Sequence, residues 1–268
     1  MNNLYFIPIG FFIGAIGTLI GAGGGFLLMP FLLLLFKNES PLDLTFISML
    51  TIFFNSLSGS VLYLLMKRVE IQTAIIFSLI IVPGSIAGTI ITAYIDRSKY
   101  NHLFGISLIL IVIFILTFKK VNITGNSLKF QKKCYIKDSN QNEYRFSYNL
   151  PLGSFITFLT GFFSPIFGIG GGIIHVPLMI RLLSFPPHIA TATSHFVLMV
   201  SSLLSVIVHF SMKPDISILS ISFFLIIGVI PGAWLGAKLS NKVKGEHILY
   251  IVSMALLFVA IRIIFLKV

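Results

Sequence analysis

The sequence predicts an all-α polytopic membrane protein. It is built of two homologous repeats, each opening with a glycine-broken helix and continuing with three full transmembrane helices, with a small β-hairpin inserted between them. Three observations predict this. Of 268 residues, 56% are hydrophobic and only 10% charged, against about 25% charged in an ordinary globular chain. Uncharged stretches follow one another at 1–36, 44–66, 71–95, 100–118, 146–180, 182–212, 216–237 and 247–261, most of them near or above the roughly 20 residues that carry a helix across ~30 Å of hydrocarbon. The chain also repeats itself at an offset near 147 residues. A soluble globule is excluded, because eight acidic and nineteen basic residues could not cover its surface. Helices follow from the solvent, since lipid offers no partner to a free backbone amide. The single cysteine, Cys134, leaves no internal disulfide. Residues 1–10 have no basic segment and run straight into apolar sequence, which predicts no cleaved signal peptide.

The repeat rests on several anchors in the same order. Gly21-Ala22-Gly23-Gly24-Gly25 with Pro30 matches Gly168-Ile169-Gly170-Gly171-Gly172 with Pro177, and Gly14 falls on Gly161, all at 147. Ser48 meets Ser194 and Met66-Lys67 meets Met212-Lys213 at 146; Pro83-Gly84 and Gly88 meet Pro231-Gly232 and Gly236 at 148. The expected organisation is a first transmembrane repeat at 1–118, a linker at 119–150 and a second transmembrane repeat at 151–268.

The first stretch of each half is too long for one upright crossing, ~50 Å at ~1.5 Å per residue, and too short for two. A break is required, and the glycine clusters are where the backbone can make it, with Pro30 expected in the first turn of a short second helix. The broken segment either returns to its starting side as a re-entrant hairpin or passes through. The length argument favours the hairpin, which gives three crossings per half and inverted repeats.

The linker holds seven basic residues, Lys119, Lys120, Lys129, Lys132, Lys133, Lys137 and Arg145, against Asp138 and Glu143. Partial alternation on either side of Lys137-Asp138-Ser139-Asn140-Gln141-Asn142 predicts a β-hairpin. The positive-inside rule places it in the cytoplasm. Much of the formal charge of +11 therefore reports topology, and no nucleic-acid partner is expected.

All eight acidic residues fall between or at the ends of the apolar stretches, so the candidate chemistry lies in backbone and neutral side chains. Gly23, Gly24 and Gly25, with Gly170, Gly171 and Gly172, would present bare amides near the bilayer midplane, where the positive end of the following helix also favours an anion. Close helix packing is the competing reading, because Gly17/Gly21/Gly25, Gly84/Gly88, Gly168/Gly172 and Gly232/Gly236 are also small-xxx-small pairs. Asn55, Ser194 and His195 are the polar side chains chosen as further anion ligands from the Ser/Thr-rich helices near 48–59 and 191–205. His175, His195 and His209 are the candidates for carrying a coupled proton. No catalytic or metal-ligating set is expected, and no cofactor.

These residues resemble the sulfite exporter TauE/SafE family of four-plus-four membrane permeases. The resemblance is carried by the two glycine motifs at 21–30 and 168–177, by Ala190-Thr191-Ala192-Thr193-Ser194, and by the Pro-Gly-xxx-Gly pairs at 83 and 231. It spans the chain apart from the linker, and implies a bacterial inner-membrane permease for small anions, sulfite and related sulfur or carbon oxoanions foremost. Two features depart from the family pattern: Ser48-Met49-Leu50-Thr51 stands where a closer copy of the Ala-x-x-Thr-Ser stretch is expected, and the basic linker is long. The expected partners are a small anionic substrate and membrane lipid, with a homodimer left open. Two other classes stay open, an intramembrane Ser/His enzyme and an assembly or scaffold protein acting through the basic linker. Against the enzyme, neither His-Glu-x-x-His nor Gly-x-Ser-x-Gly occurs.

Overall fold

The computed structural model describes residues 3–117, 130–214 and 219–240, together with the helical positions Leu257 and Ala260. Its helices are α1 (Phe6–Ile20), α2 (Gly25–Leu35), α3 (Pro41–Leu65), α4 (Ile71–Thr92), α5 (Arg97–Thr117), α6 (Leu150–Phe167), α7 (Gly172–Leu182), α8 (Pro187–Ser211) and α9 (Leu219–Leu239). Strands β1 (Gln131–Lys137) and β2 (Glu143–Asn149) lie between α5 and α6. The stretch expected as the last crossing of the second half, and the linker residues 119–129, lie outside the described residues apart from Leu257 and Ala260. Six described helices are long and apolar enough to cross a membrane: Asn3–Ile20, Pro41–Leu65, Ile71–Thr92, Leu150–Phe167, Pro187–Ser211 and Leu219–Leu239.

Local chemistry sets the ends of these helices. Ser40 caps α3 by accepting from the Asp43 amide at 3.1 Å, with Pro41 as its first residue. Asn149 caps α6 by accepting from the Leu152 amide at 2.9 Å. At the predicted breaks, α1 and α6 end on Gly21 and Gly168, whose φ angles are 81° and 62°. The next helices start behind Gly24 and Gly171, at φ 81° and 53°. Left-handed backbone of this kind is open to glycine at little cost.

The chain then folds back. The Phe6 ring, at the start of α1, lies 6.5 Å from both Phe31 and Phe36, at the end of α2. In the second half, Gly153 at the start of α6 faces the side chain of Leu183 just past α7. At 11 residues each, α2 and α7 are ~16 Å long and too short to span. Both broken segments therefore fold back on themselves as helical hairpins, the geometry that the length argument favours. One expectation is corrected: Pro30 and Pro177 lie inside α2 and α7 rather than in their first turns. Each helix begins at the last glycine of its motif, so the proline arrives a turn later, where it frees a carbonyl from the ladder.

Each hairpin is held by a helix from the other half of the chain. α1 runs alongside α9, with Gly10 against Leu225, Gly14 against Val229, Gly232 against Phe11 and Gly236 against Ala15. α6 runs in the same way alongside α4, with Gly84 against Phe158, Gly88 against Phe162 and Gly161 against Ile81. A methyl group on Gly84 would sit 2.6 Å from the Phe158 carbonyl oxygen. These glycines serve close backbone packing, which in lipid replaces the hydrophobic effect as the glue between helices. α3 and α8 cross antiparallel at the centre, Thr45 meeting His209 and Gly59 meeting His195.

The linker hairpin is present as expected, antiparallel with Cys134 opposite Phe146. Its inner face packs on the α7–α8 loop, with Phe146 4.5 Å and Tyr148 5.0 Å from the Phe185 ring. Its turn is tied to the α3–α4 loop: the Ser139 amide donates to the Met66 carbonyl at 3.0 Å, and Asp138 meets Arg68 at 3.4 Å with both side chains buried. Burial alone would raise the Asp138 pKa, but hydrogen bonds from the Asn142 side chain and backbone, the Asn140 amide and Arg68 outweigh it and hold the carboxyl below its ordinary range. Asp138 therefore stabilises the docked hairpin above about pH 4, and the contribution fades as the pH falls through the lowered value.

Two outcomes follow. In a Cys134→Ser background, Tyr5→Cys and Asn38→Cys should react with an impermeant maleimide from the same side of the membrane; labelling from opposite sides would overturn the fold-back. In the native chain the Cys134 thiol is buried, with its pKa raised to about 11 chiefly by desolvation, and should react slowly at neutral pH. Asp138→Asn should speed that reaction by loosening the hairpin, an effect read by mass spectrometry of the labelled protein.

Candidate functional site

The two glycine breaks abut at the centre of the molecule. Gly172 packs on Gly21 and Ala22, Gly170 on the Ala22 carbonyl, and Gly25 on the Gly168 carbonyl and Ile169. Side chains at matching positions of α3 and α8 seal the contact. Thr45 packs on Gly168 and Thr191 on Gly21, while Ile52 and Leu198 both close over Gly23. Ser48, on α3, donates to the Gly168 carbonyl. The backbone amides of Gly24, Gly25 and Phe26, and those of Gly170, Gly171 and Ile173, find no acceptor among the described residues. Unpaired donors this deep are costly unless something else satisfies them.

The second break borders a cavity. It is lined by Ile81, Thr160, Ser164, Gly171, Gly172, His175, Ser194, Val197 and Leu198, and its volume is about 10 Å³, enough for about one water. Ser164 is buried there and its hydroxyl has no hydrogen-bond partner among the described residues. His175 joins three helices: Nδ1 lies 3.1 Å from the Ser194 hydroxyl and Nε2 3.1 Å from that of Thr157. The Thr157 proton goes to the Gly153 carbonyl at 2.8 Å. Nε2 therefore donates to Thr157, leaving Nδ1 to receive the Ser194 proton. In this arrangement the neutral imidazole fixes the Ser194 side chain at the cavity wall.

Of the residues chosen from the sequence, Gly171, Gly172, Ser194 and His175 come together at this cavity, with Gly170 beside it. Gly23, Gly24 and Gly25 adjoin the second break but are covered by Ile52, Leu198 and Ile13. Asn55 and His195 lie in a separate buried cluster between α1, α3 and α8. There Thr18 donates to Asn55 Oδ1 at 2.9 Å, His195 Nε2 lies 3.4 Å from the Asn55 carbonyl, and Tyr63 donates to the Thr18 carbonyl at 2.8 Å. His209 is far from both, near the other end of α8, held by the Ser205 carbonyl at 2.7 Å and Thr45 at 3.1 Å.

Sequence reasoning passed over Thr157, Thr160 and Ser164. Their spacing marks one face of an otherwise apolar α6 and was the available signal. It also could not tell which hydroxyls of α3 and α8 are spent locally: Thr51, Ser56 and Ser202 donate to Ile47, Ile52 and Leu198 of their own helices.

Comparison with known proteins places this geometry. The profile of the family described as "Sulfite exporter TauE/SafE" matches residues 6–263. The "Probable membrane transporter protein YunE" of Bacillus subtilis is 29% identical over 99% of this chain and 98% of its own length. A "Probable membrane transporter protein" of Methanocaldococcus jannaschii is 28% identical over 90% of this chain and 88% of its own, and one of Xylella fastidiosa is 25% identical over 90% and 85%. No solved structure matches. With this family match and six described helices long and apolar enough to cross a membrane, the chain is a multi-pass membrane protein.

Ser194→Ala should destabilise the fold by about 1–3 kcal/mol, because it leaves His175 Nδ1 buried without a donor. Ser202→Ala, which removes only a bond to its own helix, should cost much less. Thermal unfolding of the two variants in detergent measures the difference.

Proposed function

We propose, from the premise that this chain belongs to the sulfite exporter TauE/SafE family and is a membrane transporter, that it is a secondary permease exporting small oxoanions such as sulfite or organosulfonates. The membrane is the bacterial inner membrane, with the basic linker in the cytoplasm. One observation carries the reading: the second glycine break offers the free amides of Gly170, Gly171 and Ile173, at the head of α7, beside the partnerless hydroxyl of Ser164. These are donors without full charge that an anion's oxygens can accept, Gly171 and Ser164 lining the cavity itself, and the dipole of α7 adds positive potential. Binding by neutral donors also suits a site that must release its ligand. Thr160 and Ser194 complete the wall, while Gly23, Gly24 and Gly25 back onto it from the first break and Asn55 and His195 stand apart from it in their own buried cluster.

The repeats are read as inverted. Re-entrant first segments leave three crossings per half, so the second half begins on the opposite side of the membrane. Exchanged packing supports this, α1 with α9 matching α6 with α4, as does the antiparallel crossing of α3 and α8. Transport then proceeds by rocking of one repeat against the other around the glycine breaks. A cavity of about 10 Å³ is too small for sulfite, so loading requires α7 and α8 to part. An inside-negative potential of ~100 mV favours exit of a monovalent anion by ~2.3 kcal/mol, so export needs no ATP.

Catalysis is not part of this reading. Ser194 and His175 are within hydrogen-bonding distance, but the second nitrogen of His175 is held by Thr157, where a Ser–His–Asp arrangement would place a carboxylate.

Purified protein in liposomes should move sulfite, or another small sulfonate or carboxylate from a panel. Gly171→Leu, which forces a side chain into left-handed backbone against Ser164, should reduce the flux to that of protein-free vesicles. Replacing residues 131–148 with a short flexible linker should leave flux measurable, whereas a scaffold acting through the hairpin would lose its function. The reading fails if no anion of the panel moves.

A further inference from the structure

We infer that His195 is the residue that takes up and releases a proton during transport, at Nδ1, while His175 stays neutral and serves the anion site; this rests on the permease reading. The inference comes from accounting for the hydrogen bonds of each buried histidine. At His175 both ring nitrogens are engaged, Nε2 donating to Thr157 and Nδ1 accepting from Ser194. The ring also lies in the first turn of α7, at the helix end whose dipole opposes a positive charge.

His195 is as deeply buried but differs in its hydrogen bonding. The hydroxyl proton of Thr18 goes to Asn55 Oδ1, so Nε2 faces only lone pairs, those of Thr18 at 3.5 Å and of the Asn55 carbonyl at 3.4 Å. Nε2 must carry the N–H of the neutral ring. Among the described residues, Nδ1 is left buried with no hydrogen-bond partner, as is the Asn55 side-chain amide nitrogen. A proton added at Nδ1 displaces no existing bond. The ring lies beside Thr18, in the last turn of α1, and the negative end of a helix favours an imidazolium. The chain makes room for this ring with Gly59, where any side chain would collide with the imidazole.

The groups facing His195 are Thr18 and Gly21 from α1, and Asn55, Gly59 and Tyr63 from α3. Tyr63 is the titratable one among them, and its hydroxyl is committed to the Thr18 carbonyl. Ser194 and His195 are consecutive, so α8 presents the anion cavity and the proton-binding ring on adjoining faces, and a movement of α8 acts on both. His209 also has carbonyl and hydroxyl partners, near Asp43. It lies fourteen residues further along α8, ~21 Å away, and is too remote to exchange with that cavity. The step itself is a proton transfer between Nδ1 and hydronium or water from whichever aqueous side has access, with no other bond made or broken.

The test uses the full chain in liposomes, with radiolabelled sulfite as probe, and compares two readouts: exchange of sulfite at equal pH, and accumulation driven by a pH gradient. Wild type should show both. His195→Gln should keep exchange and lose gradient-driven accumulation, whereas His209→Gln should keep both. The inference is overturned if folded, monodisperse His195→Gln still accumulates sulfite like wild type, or loses exchange to the same degree as accumulation. It is also overturned if His209→Gln abolishes accumulation while sparing exchange, a result that does not depend on whether the first variant folds. Wild type that exchanges sulfite without responding to the gradient contradicts the proton role alone; wild type that exchanges no anion contradicts the permease reading as well.

Discussion

Backbone amides left unpaired in the middle of a membrane must be buried in protein, and that constraint governs the rest of this structure. Each half of the chain breaks its first helix at a run of glycines, and each break would be untenable facing lipid. The fold answers by pressing the two breaks against each other, Gly172 on Gly21 and Gly25 on Gly168. It then surrounds them with the long helices α3 and α8. The glycine rows on α4 and α9 follow from the same need, since they let α6 and α1 come close enough to shut lipid out. Removing side chains thus serves two ends in one molecule: bare amides at the centre and close backbones around it.

Much of this was legible in the sequence because it depends on local chemistry or on periodicity. Composition and the ordered apolar stretches give a helical membrane protein. The positions of Gly21 and Gly168 mark the breaks, and alternation around Lys137 to Asn142 marks the β-hairpin. What was not legible depends on contacts between distant segments. Whether the broken helix returns is decided by Phe6 meeting Phe36, and no pattern within residues 1–36 states it. The buried pair of Arg68 and Asp138 joins a transmembrane loop to the linker across seventy positions, and as a sequence feature each looks like an ordinary loop charge. Among the hydroxyls, Ser194 and Ser202 are alike in sequence, yet one holds His175 and the other bonds to its own helix.

The two halves are unequal where chemistry is concerned. The second break has a polar cavity with His175, Ser164 and Ser194, while the first is closed over by Ile13, Ile52 and Leu198. The first half contributes instead a buried cluster of Thr18, Asn55 and Tyr63 around His195. In the proposed reading, the wall of the anion cavity and the proton-carrying ring therefore fall on neighbouring residues of α8, Ser194 and His195.

The central claim is that the amides and hydroxyls at the second glycine break hold the transported anion. Protection of a single cysteine tests it most directly. In a Cys134→Ser background, Ser164→Cys should react with a small water-soluble thiosulfonate, and sulfite or another transported anion should slow that reaction in a saturable way, while a cysteine at Ser222, buried on α9, should show no such protection. Labelling of Ser164→Cys that is unaffected by any anion the protein transports would contradict the claim.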